Sequence, residues 1–254
     1  MMIDLDAEKA AVDTVRRCQR NWDLTNGIPE EHIQHWIYMA THSPSKQDEG
    51  YFNLYVLTDR ELIDRMVKHT WGHTIPVIPK VVRGLARNPQ MGASAYFLFA
   101  SKDPSTVRTC KPNGEWGDPT YYGRTVQNKY TSIGLAMGMI ALSAANMGYS
   151  TGFNKCHGQD NSPDHGIWRE TLGLTEGENI EFGLGIGHGQ EGRAHYETDE
   201  TEFLVGVHPS PMHSVHDQKI PWNGVEYDNP VKAIGYTNFS EMYRDTKDIK
   251  VFRF

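Results

Sequence analysis

The chain has 254 residues, 38% of them hydrophobic and 22% charged, which is enough apolar material for one sizeable core. Its formal charge of −7 argues against a nucleic-acid or anionic-membrane surface, because counterion release needs a basic face to drive it. No run approaches the length of a membrane span, the start Met1-Met2-Ile3-Asp4 lacks a basic region ahead of an apolar one, and three widely spaced cysteines (Cys18, Cys110, Cys156) form no C-x-x-C pair; one soluble cytoplasmic domain over residues 1–254 is expected.

Residues Asp6 to Cys18 carry Ala10, Ala11, Val12, Val15 and Cys18 at helical spacing, with Asp4 or Asp6 placed to cap the start. This helix delivers Arg16-Arg17-Cys18-Gln19-Arg20-Asn21-Trp22, three guanidiniums within five residues of an otherwise acidic chain. Planar forks of donors with permanent charge bind phosphate well, while a solvated charged face beside a helix end is the competing reading. After a turn at Asn26-Gly27-Ile28-Pro29, a second helix opens at Pro29-Glu30-Glu31 and buries Ile33, Trp36, Ile37 and Ala40. Phe52 to Leu57 reads as a strand, and Thr58-Asp59 caps a third helix with Leu62, Ile63, Met66 and Val67 inward.

From His69 to Gln90 the prolines 76, 79 and 89 break the pattern, so loop with short helical pieces is expected. Ala95 to Ala100 is an unbroken apolar run that suits a buried strand. Lys102 to Asn128 is rich in Pro, Gly and aromatics and reads as a lid or a partner-facing excursion. Thr131 to Gly148 is the clearest helix, with Ile133, Met137, Ile140, Ala141, Ala144 and Met147 recurring every three or four residues, so that it looks buried on most sides. Gly134 and Gly138, four apart, predict close approach of another backbone, in a tight helix–helix core or at a dimer axis. Gly148 ends that helix, and Gly152 sits where backbone comes near a ligand. Ile180 to Ile186 reads as a strand with Gly183, Gly185, Gly187 and Gly189 alternating along and beyond it. No helix start follows to make this a dinucleotide fingerprint. The tail after Glu202 is Pro-rich and ends in a β-prone tip, Ile249 to Phe254.

Three of these features, in order, resemble the FMN-dependent nitroreductase family: R-R-C-Q-R-N-W at residues 16–22, S-P-S-K-Q-D at 43–48 before a strand, and a long helix ending in a small Gly-containing segment. The resemblance covers residues 8–190. It implies an α+β fold, a mostly antiparallel central sheet flanked by helices around a long central helix, and a homodimer with FMN between the subunits. It also implies a 200–254 extension that wraps a second subunit. By the same resemblance, Arg16 and Arg17 lie by the FMN phosphate and Arg20 reaches the ribityl chain and the N1/C2 carbonyl region. Cys18 stands where the family usually has Ser, and a thiol is the poorer donor. Pro44, Ser45 and Lys46 fall in the ring-packing segment. Asp48 stands where the family usually has Asn, and either opposes electron gain by the flavin or points to solvent. Gly152, Phe153, Asn154 and Lys155 fall in the loop that covers the flavin, and Arg193 is either a further phosphate ligand or a surface residue.

The implied activity is hydride transfer from NAD(P)H to the flavin and onward to a small electron-poor acceptor such as a nitroaromatic or quinone. It needs no catalytic acid, base or nucleophile from the protein. Trp116, Tyr121 and Tyr122 are either acceptor-pocket walls or ordinary packing. Reductive dehalogenation, flavin fragmentation and flavin binding without turnover are the alternatives within the fold. A metal role for His157, His165, His208, His213 and His216 is the alternative outside it, with no i, i+4 or C-x-x-C spacing to support it.

Overall fold

Helix α1 (Leu5–Arg16) begins at Asp4, whose Oδ1 accepts the backbone N–H groups of Asp6 at 3.0 Å and Ala7 at 3.2 Å, and it stops at Arg16, two residues before the expected end. The computed structural model describes residues 4–16, 18–19, 22–70, 76–77, 80–81, 89–110, 125–155, 157, 163–189, 220–222 and 225–227. Helix α2 (Glu30–Thr41) starts after Pro29 and buries Ile33, Trp36 and Ala40. Helix α3 (Arg60–Val67) is capped by Asp59, which accepts the N–H of Leu62 at 2.7 Å, and buries Ile63, Met66 and Val67. These elements agree with the periodicity, because each presents one apolar stripe and carries its own start signal.

The centre of the molecule is strand β7 (Asn179–Gly189), which pairs with β5 (Ala95–Ser101) and with β6 (Ser150–Asn154); β2 (Phe52–Leu57) lies beyond β5, and β1 (Trp22–Asp23) pairs the end of β7. All of these pairings are antiparallel. With helices on both faces the fold is α+β, as expected. Along β5, Ala95, Phe97 and Phe99 face one core with α2 and with α4 (Thr125–Asn146). Tyr96 and Leu98 face a second core with α3 and with α5 (Pro163–Leu172). A strand covered on both faces has no polar side, which explains the unbroken apolar run; all seven positions of β5 are buried.

Several expectations are corrected. Between 69 and 90, the described residues include two short antiparallel strands that were not expected, Pro76–Val77 (β3) paired with Lys80–Val81 (β4), while the 3-10 turn at Pro89–Gly92 is one of the short helical pieces that were. Proline is tolerated in so short a ladder because only an edge is formed. Helix α4 starts at Thr125, six residues earlier than expected, since the polar residues 125–130 include the buried Thr125 and Lys129. It is not buried on most sides either. A Cβ at Gly134 or Gly138 would meet nothing within 4 Å, and Leu135 beside them is 43% exposed, so among the described residues these glycines make no tight helix–helix contact. The stretch after Gly148 (φ +85°) is not a loop but strand β6, hydrogen-bonded to β7 from Ser150 to Asn154. Helix α5 was not anticipated. Of the tail, only Ile220–Trp222 (β8) and Val225–Tyr227 (β9) are described, paired with each other; the expected wrapping extension, the β-prone tip and most of the 102–128 excursion lie outside the described residues. Among the described residues no helix is long and apolar enough to cross a membrane.

Candidate functional site

Arg16 is the last residue of α1 and is exposed; its guanidinium lies 3.8 Å from the exposed carboxylate of Asp13. A helix C-terminus presents carbonyl oxygens, so attraction for an anion here comes from the guanidinium against the helix dipole, not with it. Arg17, Arg20 and Arg193 lie outside the described residues.

Beyond Arg16 the chain lies along β6. The Gln19 N–H donates to the Thr151 carbonyl at 2.7 Å, and the Cys18 thiol donates to the Phe153 carbonyl at 3.4 Å. The Gln90 side-chain amide donates to Cys18 Sγ at 3.7 Å. A Cβ at Gly152 would come within 2.5 Å of the Gln19 carbonyl and 3.1 Å of the Gln90 side chain, so only glycine admits these two segments here. Close backbone approach at Gly152 is therefore real, and the described group that approaches is the chain itself. Residues about 130 positions apart in sequence, Cys18 and Gln19 with Thr151, Gly152 and Phe153, are brought into contact. Thr151 is fully buried, and its hydroxyl has no hydrogen-bond partner among the described residues, which leaves a donor over at this spot.

The rest of β6 is directed elsewhere. Phe153 packs against the α4 core. Lys155 is exposed and holds its ammonium 5.1 Å from the Phe182 ring centroid and 5.9 Å from that of Tyr130. The Asn154 side chain is buried and donates to Tyr96 Oη at 3.0 Å, and that oxygen lies 2.5 Å from His157 Nε2. A Cβ at Gly183 would overlap the Tyr96 phenol, and one at Gly185 would overlap the Gln90 carbonyl. The alternating glycines of β7 thus make room for the ring and the 89–94 turn laid across that face of the sheet. Burial, with the charge of nearby His165 added, pushes the His157 pKa down to about 3, so the imidazole is neutral. Although His157 and His165 are neighbours, no group of three His, Cys, Asp or Glu among the described residues could hold a metal ion. His208, His213, His216 and Cys156 lie outside them.

Pro44, Ser45 and Lys46 line a separate groove of about 220 Å³ with Asn128, Thr131, Ser132 and Leu135 of α4. This is below the roughly 300 Å³ at which ligand pockets usually begin. Next to it, Gln47 (φ 59°) and Asp48 (φ 54°) are both left-handed, held by Arg108, whose guanidinium donates to the Gln47 carbonyl at 3.0 Å and lies 3.4 Å from Glu49. Consecutive left-handed residues other than glycine are strained, and Asp48 is exposed at the tip. The structure brings Cys18 to Phe153 and Gln19 to Gly152, and sets Pro44 to Lys46 in a groove that shares none of those residues. Trp116, Tyr121 and Tyr122 lie outside the described residues.

Sequence reasoning missed Gln90 and Arg60. Arg60 donates to the carbonyls of Gly92 and Ala93, each at 3.0 Å, and so holds the turn that delivers Gln90 to Cys18 and Gly152. No local pattern marks either residue, because both act through contacts made only in the fold.

The profile of the nitroreductase family matches residues 14–188. No curated protein matches the sequence significantly. Among solved structures, the chain is similar to a nitroreductase with bound FMN from Bacteroides fragilis, at 15% identity and a TM-score of 0.52 over 76% of this chain and 92% of that one. It is similar to an FMN-dependent nitroreductase from Clostridium difficile, at 16% identity and a TM-score of 0.52 over 79% and 97%. A third is nitroreductase A from Vibrio parahaemolyticus, at 14% identity and a TM-score of 0.51 over 82% and 76%. At these identities the likeness concerns the fold.

Proposed function

The chain belongs to the nitroreductase family, and from that premise we propose that it is an FMN-dependent oxidoreductase working as a homodimer. The observation that carries this reading is the seating of Cys18 and Gln19 on β6 at Gly152, which joins the end of the basic stretch to the strand assigned to the flavin ring. When bound, FMN supplies the two-electron chemistry, accepting hydride from NAD(P)H and passing electrons to an acceptor such as a nitroaromatic or quinone.

The donor set suits such a group in kind. Arg16, with Arg17 and Arg20, offers guanidiniums to a phosphate, and the unused Thr151 hydroxyl adds a neutral donor. The Cys18 thiol directs its hydrogen to the Phe153 carbonyl, so its part is to hold β6 in place more than to bind an anion. The groove at Ser45 and Lys46 is too small to enclose a flavin. Beside it, the exposed α4 stripe of Gly134, Leu135 and Gly138 has open space over both glycines. A second copy packed on that stripe completes the site in this reading, with Pro44, Ser45 and Lys46 of one copy facing β6 of the other. Small residues let two backbones approach closely there, and an apolar helix face gains by being covered.

The test is an absorption spectrum of the purified protein, a titration with FMN, and anaerobic addition of NADPH and then NADH. A flavin band that either nucleotide bleaches is expected, and Arg16→Ala should weaken FMN binding by about 1 to 3 kcal/mol through loss of a charged hydrogen bond. Protein that neither carries nor takes up FMN would overturn the reading.

A further inference from the structure

We propose that Tyr96 and His157 are positioning residues that anchor the exit of β6 for cofactor binding through a neutral relay, Asn154 to Tyr96 to His157; this rests on the reading of β6 as one wall of the flavin site. The direction of the relay follows from the chemistry of its members. The Asn154 Nδ2 amide can only donate, so Tyr96 Oη accepts at 3.0 Å. The phenol then turns its own hydrogen toward His157 Nε2 at 2.5 Å, which requires the tautomer with hydrogen on Nδ1. The three residues are 5%, 0% and 2% exposed, so water cannot replace a lost partner.

The relay lies where it can act on the site. Asn154 is the last residue of β6, on the same side of the strand as Gly152, while Phe153 points into the α4 core. On its outer edge, among the described residues, β6 is met by Gln19 N–H and Cys18 Sγ. Along its other edge β6 pairs with β7 as far as Asn154 opposite Gly183, and the buried relay adds a side-chain anchor at that exit. His157, three residues past Asn154, also packs edge-on against Trp168 of α5 at 5.0 Å between centroids, tying the chain that leaves β6 to the second core. Gly183 keeps the space the phenol needs.

The experiment is FMN titration of full-length protein, with visible circular dichroism at saturation and urea unfolding as separate readouts. Tyr96→Phe and His157→Leu should each weaken FMN binding about tenfold, as expected for loss of one or two buried hydrogen bonds, and should alter the visible dichroism. His157→Gln, whose amide oxygen still accepts from Tyr96, should bind within about twofold of wild type. In the wild type, nitrogen NMR should show His157 with hydrogen on Nδ1, its resonances moving when FMN is added; this readout stands even where a variant fails to fold. Variants that lose stability yet bind FMN as wild type does with unchanged dichroism, or a His157 resonance indifferent to FMN, overturn the positioning role alone. A wild type that binds no FMN overturns the functional reading beneath it.

Discussion

Two buried polar clusters flank the same strand and solve the problem of burying polar atoms in opposite ways. On the α4 side of β7, Lys129 Nζ meets Glu181 Oε1 at 2.5 Å, with side chains 6% and 7% exposed. On the α5 side, Asn154, Tyr96 and His157 are joined without a formal charge. The ion pair exists because the β5–β7 ladder slips: Phe99 pairs with Phe182 and Ala100 with Ile180, leaving Glu181 unopposed. That bulge turns Glu181 toward α4 alongside Phe182, where strict alternation would have sent it to the other face. The neutral relay needs no slip, since Tyr96 and Asn154 already point to the same face. The charged cluster therefore depends on both partners being present, and the neutral one on the protonation state of a histidine.

The largest effect is expected from splitting the ion pair. Lys129→Met leaves a carboxylate buried without its cation and should cost about 3 to 5 kcal/mol in urea unfolding. Adding Glu181→Gln should restore most of that loss. A single variant that costs under about 1 kcal/mol would mean the pair is not desolvated, and the contrast with the relay would fail.

Acidification should separate the clusters next. The folded pKa of His157, about 3, lies below its ordinary value of 6.5, so between these values the unfolded chain binds a proton that the folded chain refuses. Stability is fully present above about pH 6.5 and falls as pH drops toward 3, by about 2 to 3 kcal/mol between pH 6.5 and 4.5. His157→Gln should flatten this slope in thermal or urea unfolding followed against pH. Glu178 adds a second acid-sensitive element at lower pH. Although burial by itself raises its pKa, bonds from Asn53, Thr175 and Tyr55 leave it depressed below 4.5, so its contribution is present above 4.5 and lost as pH falls through the folded value.

The smallest effect sharpens the contrast between buried and exposed cations. Lys155 lies over the Phe182 and Tyr130 rings but is exposed, and Lys155→Met should change stability by no more than about 0.5 to 1 kcal/mol. A loss matching that of Lys129→Met would show that exposure is not what distinguishes the two lysines.

Much of the fold was legible in local pattern. The caps at Asp4 and Asp59, the apolar run at 95–100, the stripes on α2 and α3 and the glycine stop at 148 each act within a few residues, so a window of sequence contains their cause. The site was legible only in part. The resemblance singled out residues 16–20 and 152–155, and the structure joins Cys18 to Phe153 and Gln19 to Gly152; but Asn154 proved to face the second core, because β6 is a paired strand whose side chains alternate. Helix α5 was missed because its stripe is short, and what covers it, α3 and Tyr96, comes from far away in the chain. The alternating glycines of β7, which the sequence had already shown not to be a dinucleotide fingerprint, are clearances for Tyr96 and Gln90, a role that depends on which segments cross the strand.

By itself the sequence determined α1 to α4, β2, β5 and β7, the caps at Asp4 and Asp59 and the burial of β5, since these rest on propensity and periodicity along a continuous stretch, and its motifs pointed to the family. Only the tertiary structure decided that Gln19 lies on Thr151, that Arg60 holds the turn bearing Gln90, that Glu181 slips out of register to meet Lys129, and that no described residue packs over Gly134 and Gly138. Each of these is a contact, or the lack of one, between segments far apart in the chain. Hydrogen bonds and burial depend on distance in space, which no periodicity along the chain encodes.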